Sequence, residues 1–179
     1  KGALMTELYQ HVENHPSIAE LVECWKYRIS GEIAAAQSQA AAIACRMRGT
    51  AAGPRPDDAC VFGPPQTDVS DIAAYDAQKN TEQLAQLAEL ESKIADLQTA
   101  RIIALDIIPG AVPMETYHFP KRCLMLFGAE GPGLSEKALE LADDVVYISQ
   151  FGSVRSINAG AAAAVSMHAW IAQHAVPRS

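Results

Sequence analysis

Up to residue 99 the apolar positions of this chain recur at helical spacing; after residue 100 they collect into short unbroken runs. Ile18, Leu21, Val22 and Trp25 follow Pro16-Ser17 at the spacing of one helix face, with Ser17 placed to cap the helix start. Residues 27–52 are Ala-rich and extend the helical pattern, with Arg46 and Arg48 near its end, where cations suit the helix dipole. Pro54, Pro56, Gly63, Pro64 and Pro65 then predict a turn-rich connector over 53–66. From 68 to 99 the helical period returns, with Leu84, Leu87, Leu90, Ile94 and Leu97 in one stripe among Glu, Gln and Lys. The runs that follow read differently. Residues 101–108 (RIIALDII) form a continuous apolar stretch, as in a strand buried on both faces, and Pro109-Gly110 ends it.

Residues 123–127 and 145–148 are two further strand-length runs. The first stops at Gly128, and the turn after it leads to Ser135, a predicted N-cap with Glu136 in the first turn of a short helix. The second leads through Gln150-Phe151-Gly152 and residues 153–158 into a last helix reaching Ala172. Strands alternating with helices predict an α/β fold with a largely parallel sheet flanked by helices. Both loops then leave the carboxyl ends of parallel strands, the edge where such sheets bind ligands.

Composition narrows the classes. The 179 residues are 49% hydrophobic and 20% charged, which suits one soluble globular domain with a real core. The net charge of −7 is unfavourable for generic nucleic-acid binding, so an RNA ligand would require a local basic group or a surface assembled by a dimer. Cys24, Cys45, Cys60 and Cys123 form no C-x-x-C pair and have no His at zinc spacing, so reduced thiols in a cytoplasmic protein are expected. No metal is expected, because His11, His15 and His118 are scattered; His168 and Trp170 read as packing or dimer-face residues. There is no signal-peptide pattern and no apolar run long enough to span a membrane. The order G-A-E-G-P-G over 128–133 also fails the dinucleotide G-x-G-x-x-G spacing.

Two segments carry a family resemblance. Phe127-Gly128-Ala129-Glu130-Gly131-Pro132-Gly133-Leu134-Ser135 resembles the second signature motif of the SpoU (TrmH-type) RNA 2'-O-ribose methyltransferases of the SPOUT superfamily. Residues 148–160, centred on Arg155-Ser156-Ile157-Asn158, resemble the third, in the family's order and spacing. The resemblance implies a SPOUT-like single domain over 1–179 with a C-terminal trefoil knot, a rare exception to unthreaded topology. It further implies S-adenosylmethionine held in the knot, a tRNA or rRNA substrate and a homodimer. The first motif, N-x-G-x-x-x-R, is not in the sequence. Residues 1–16 resemble the stretch that follows that motif, so an N-terminal part is expected before residue 1. Family members pass almost directly from the helix near Trp25 to the strand at Ile102, which makes about 29–100 a divergent, mostly helical insertion. Its Leu stripe suits either a partner-binding arm or a helical hairpin folded on itself.

By the same resemblance, Phe127, Gly128, Gly131, Gly133, Ile148, Gln150, Ile157 and Ala159 hold the cofactor, the glycines letting the main chain approach closely. Glu130, Ser156 and Asn158 are the candidate catalytic residues, and Arg155 a candidate phosphate clamp on the substrate. Each has a plainer role open to it: the glycines as turn formers, Glu130, Ser156 and Asn158 as helix caps, and Arg155 as a solvated side chain. Methyl transfer to a ribose hydroxyl demands alignment of methyl and oxygen and removal of a poorly acidic proton. With the arginine motif absent, a non-catalytic knotted dimer or RNA-binding scaffold is the alternative. An unrelated nucleotide-binding α/β domain is a third.

Overall fold

The computed structural model describes residues 13–51, 69–129, 131–152 and 157–175. Its elements run α1 (Ile18–Ala51), α2 (Val69–Gln98), β1 (Arg101–Leu105), β2 (Val112–Pro113), a 3-10 turn at Met114–Thr116, β3 (Cys123–Phe127), α3 (Glu136–Leu141), β4 (Asp144–Tyr147) and α4 (Ala159–His174). Their contacts divide the chain into two compact units. One comprises Lys1–Arg28 with Ala100–Ser179, and the other Ile29–Thr99.

The first unit is built on a four-stranded sheet in the order β2-β4-β1-β3, parallel at every pairing. β1 lies inside it, and Ile102, Ile103 and Ala104 are fully buried. Successive strand side chains point to opposite faces, so neighbouring residues enter different cores. Ile102 packs with Val22, Leu126 and Ala138, bringing the start of α1 and α3 to one face. Ile103 packs with Met114, Phe119 and Val146, joined by Ala169 and Trp170 of α4 on the other. Helical cover on both faces is why β1 has no polar alternation.

The strand expected over 101–108 ends at Leu105. Asp106 turns its carboxylate to the Ile107 amide (2.8 Å), and Ala111 N–H bonds Ile108 O (3.1 Å) to close a turn at Pro109-Gly110. Val112–Pro113, which the sequence pattern does not mark as a strand, adds an edge strand to β4. Proline is tolerated there because an edge strand leaves one row of amides unpaired.

The expected caps are present: Ser17 Oγ accepts from Glu20 N (3.2 Å) and Ser135 Oγ from Ala138 N (3.2 Å). The last turns of α4 are tied to the segment before β3. Trp170 Nε1 donates to Pro120 O (3.0 Å), and Gln173 Oε1 accepts from Phe119 N (2.9 Å) while its Nε2 donates to Tyr117 O (2.9 Å).

In the second unit α1 continues without a break through the Ala-rich stretch, and Ala36 and Ile43, seven residues apart, are buried. Along the α2 stripe, Leu84 is 56% exposed, Leu87, Leu90 and Ile94 are half-buried, and Leu97 is buried. The trefoil knot implied by the resemblance involves residues 153–156, which lie outside the described residues.

Candidate functional site

β1, β3 and β4 finish at one edge of the sheet, where Leu105 pairs in register with Phe127 on one side and Val146 on the other. The loops leaving those strands enclose a cavity of about 550 Å³. The first wall is the turn after β3. Ala129 and Gly133 exchange two main-chain hydrogen bonds (3.2 and 3.1 Å), pinching residues 129–133 into a closed loop. Gly131 and Gly133 have φ of +97° and +72°, a region costly for residues with a side chain. At Gly128 the constraint is contact: a Cβ would stand 2.3 Å from the Gly133 carbonyl carbon and 2.6 Å from Leu134 N.

The second wall is the loop after β4 and the start of α4. Ser149 Oγ donates to Glu115 Oε2 (2.8 Å), tying that loop to the 3-10 turn. The Glu115 carboxyl is held below its ordinary value, first by its own backbone amide and then by Ser149. Asn158 caps α4, its Oδ1 accepting from Gly160 N (2.8 Å) and Ala161 N (3.3 Å). Phe151 stands 98% exposed beside cavity-lining Gln150.

Phe127, Gly128, Gly131 and Gly133 from the first loop line this one cavity together with Ile148, Gln150, Ile157, Asn158 and Ala159 from the second. Glu130, Arg155 and Ser156 lie outside the described residues. The cavity also takes Leu105, Asp106 and Ile107 from the end of β1, Val146 from β4 and Ala162 one turn into α4, none of them singled out in the sequence. No local sequence signal marks them, because it is the pairing of β1 with β3 and β4 that brings a third strand end to the same edge. Asp106 carries the single formal charge among the described lining residues.

The most perturbed titrating groups lie at the opposite edge. Tyr117 Oη donates to Asp144 Oδ2 (2.8 Å), and Arg101 Nη1 is 3.5 Å from the same oxygen. Burial and then that bond raise the Tyr117 hydroxyl well above its ordinary value. Burial alone pushes the Cys123 thiol up to about 11. These groups fasten the amino ends of β1, β3 and β4 and take no part in the cavity.

The model of the SpoU rRNA Methylase family matches residues 50–168. The chain belongs to the SpoU rRNA Methylase family. The match begins inside the helical unit and runs across both cavity loops into α4. Over 74 residues this SpoU chain is 35% identical to the tRNA (guanosine(18)-2'-O)-methyltransferase of Saccharomyces cerevisiae, covering 41% of the chain and 5% of that protein. Over 47 residues it is 49% identical to the enzyme of the same name from Thermus thermophilus, covering 26% and 24% respectively. The chain therefore spans only a small part of the length of these relatives. Two solved structures show a partial likeness. The SpoU methyltransferase AviRb of Streptomyces viridochromogenes, crystallised with the cofactor AdoMet, has 28% identity and a TM-score of 0.41, covering 49% of this chain and 33% of that one. The A. aeolicus TrmH/SpoU tRNA modifying enzyme has 21% identity and a TM-score of 0.39, covering 50% and 43%.

Proposed function

We propose that this SpoU-family chain binds S-adenosylmethionine between its two C-terminal loops and methylates a ribose 2'-hydroxyl of tRNA or rRNA. One observation carries the reading: residues from two loops more than ten positions apart in sequence converge on a single cavity at the carboxyl edge of a parallel sheet. Its volume is within the range of small-ligand pockets, roughly 300–1,000 Å³. The lining fits the group. Leu134, Val146, Ile148 and Ala162 offer apolar walls to a flat base, while Asp106, Gln150 and Asn158 offer polar contacts.

Bound S-adenosylmethionine supplies an electrophilic methyl group. Gly128, Gly131 and Gly133 line the cavity with main chain that carries no side chain, which suits close backbone approach. Asn158 is a positioning residue: its oxygen is engaged by two helix amides, and an amide is a poor proton acceptor at neutral pH. Proton removal from the ribose falls to an ionisable neighbour, for which Glu130 in the turn is our candidate. Ser156 and Arg155 are assigned to orienting the ribose and its phosphate. We read the Ile29–Thr99 helices as an insertion in the methyltransferase domain, the carboxyl segment as knotted, and the protein as cytoplasmic.

A homodimer is proposed on the face of α4 that carries Met167 and Ile171, one turn apart and 52% and 47% exposed. Among the described residues no helix is long and apolar enough to cross a membrane.

Incubation with methyl-labelled S-adenosylmethionine and bulk RNA tests the activity. Incorporation that survives nuclease digestion as 2'-O-methylnucleoside is the expected result. Cofactor binding by calorimetry with no incorporation into any RNA points instead to the non-catalytic scaffold.

A further inference from the structure

Asp106 stands where β1 enters the cavity, and its main-chain N–H donates to Val146 O (3.1 Å), the last link between β1 and β4. Its carboxylate is oriented from within its own loop, because Oδ1 accepts the Ile107 amide (2.8 Å). Oδ2 has no partner among the described residues. It faces the pinched turn, 3.6 Å from where a Cβ on Gly133 would stand. The described lining contains no cation to offset this charge. A carboxylate accepts hydrogen bonds and donates none, so a ligand that brings donors to Oδ2 would be favoured in this cavity.

We infer that Asp106 holds the ribose hydroxyls of the methyl donor. The inference rests on the reading of the cavity as the S-adenosylmethionine site and names one contact within it. The donor offers two kinds of hydrogen-bond donor to a carboxylate: the ribose diol and the ammonium of its methionine part. Position separates them. Asp106 follows directly on the end of β1, beside Leu105 and bonded through its amide to Val146, so it sits at the strand ends that line the cavity. With its reactive methyl turned toward an RNA arriving from solvent, the donor would place its nucleoside toward the strand ends. An acidic side chain at a strand's carboxyl end taking ribose hydroxyls is a general solution in parallel α/β sheets.

Calorimetry on the full chain tests this with S-adenosylhomocysteine, 5'-methylthioadenosine (the same nucleoside without the amino acid) and the 2'-deoxy and 3'-deoxy forms of the latter. Asp106→Ala is expected to weaken the first two ligands by the same factor, roughly ten- to hundredfold for a charge-assisted bond. Removing a hydroxyl from the ligand is expected to weaken binding to the wild-type protein and to add nothing in the variant. Loss for S-adenosylhomocysteine with methylthioadenosine unaffected would assign Asp106 to the ammonium and overturn the inference. Unchanged affinities in the variant overturn it as well, while leaving the cavity as the donor site. If the variant fails to fold, the deoxy ligands decide on wild-type protein alone: binding equal to the parent refutes the ribose contact. Wild-type protein that binds none of the four ligands defeats the site assignment, and Asp106 falls with it.

Discussion

Ile102 and Asp143 hold each other by two hydrogen bonds. The Ile102 amide donates to Asp143 Oδ2 (2.7 Å), and the Asp143 amide donates to Ile102 O (2.8 Å). The β1–β4 ladder begins one residue further on, at Ile103 and Asp144. The Asp143 carboxylate thus takes the place of a strand carbonyl and satisfies the amide of a fully buried residue. Asp143→Ala is expected to cost about 1–3 kcal/mol, the penalty for an orphaned buried amide, and Asp143→Asn less. Urea denaturation of the three proteins checks the order.

Gly128 and Gly131 differ in what they tolerate. A methyl group at Gly128 meets backbone at 2.3–2.7 Å, which only movement of the 129–134 turn relieves, whereas one at Gly131 meets nothing and only a strained φ. Gly128→Ala is expected to destabilise by about 1–3 kcal/mol and to reduce donor affinity sharply. Gly131→Ala is expected to cost about 1 kcal/mol. Equal effects in thermal melts and calorimetry would contradict this account.

Asn158→Ala removes the acceptor for two α4 amides and is expected to cost about 1 kcal/mol. Asn158→Asp keeps the cap, so stability recovers. Melting temperatures of the two variants separate capping from any further role, which a loss of methyl transfer in both would reveal.

Tyr117 makes stability fall at alkaline pH. Its hydroxyl ionises in the native protein well above the ordinary value of 10.0, held protonated by burial and by its bond to Asp144. The unfolded chain releases that proton above about pH 10 and the native chain retains it, so stability is full below that pH and declines as pH rises past it. Tyr117→Phe should remove this part of the decline. Denaturation midpoints on both proteins, taken from about one pH unit below that value to one above, are the check.

The cysteines should separate by reactivity. Cys123 is half-buried with its thiol pushed up to about 11 by burial, while Cys45 is exposed. The thiolate is the reacting species, so Cys45 should label with a maleimide at about pH 7.5 well before Cys123. Mass spectrometry of timed digests reads the order.

Local chemistry was legible in the residues. Ser17, Ser135 and Asn158 cap the helices they precede, and the apolar run 123–127 is a strand over those same positions. Short-range rules suffice there because capping and periodicity involve residues within four positions of one another. Val112–Pro113 shows the limit. A two-residue edge strand has no periodicity of its own and exists only because β4 offers it a partner. The burial of the α2 stripe was equally illegible, since helical spacing says which residues share a face but not what covers it.

The sequence by itself determined the element order, the helix starts, and the two glycine- and polar-rich loops that belong to one family's signature. Tertiary structure alone decided that β1 lies between β3 and β4, and therefore that Asp106 joins the cavity and Asp143 completes the ladder. The reason is range. The bond from Asp143 to Ile102 spans 41 positions and that from Gln173 to Phe119 spans 54, and no local preference encodes which distant partner a strand edge or side-chain oxygen meets.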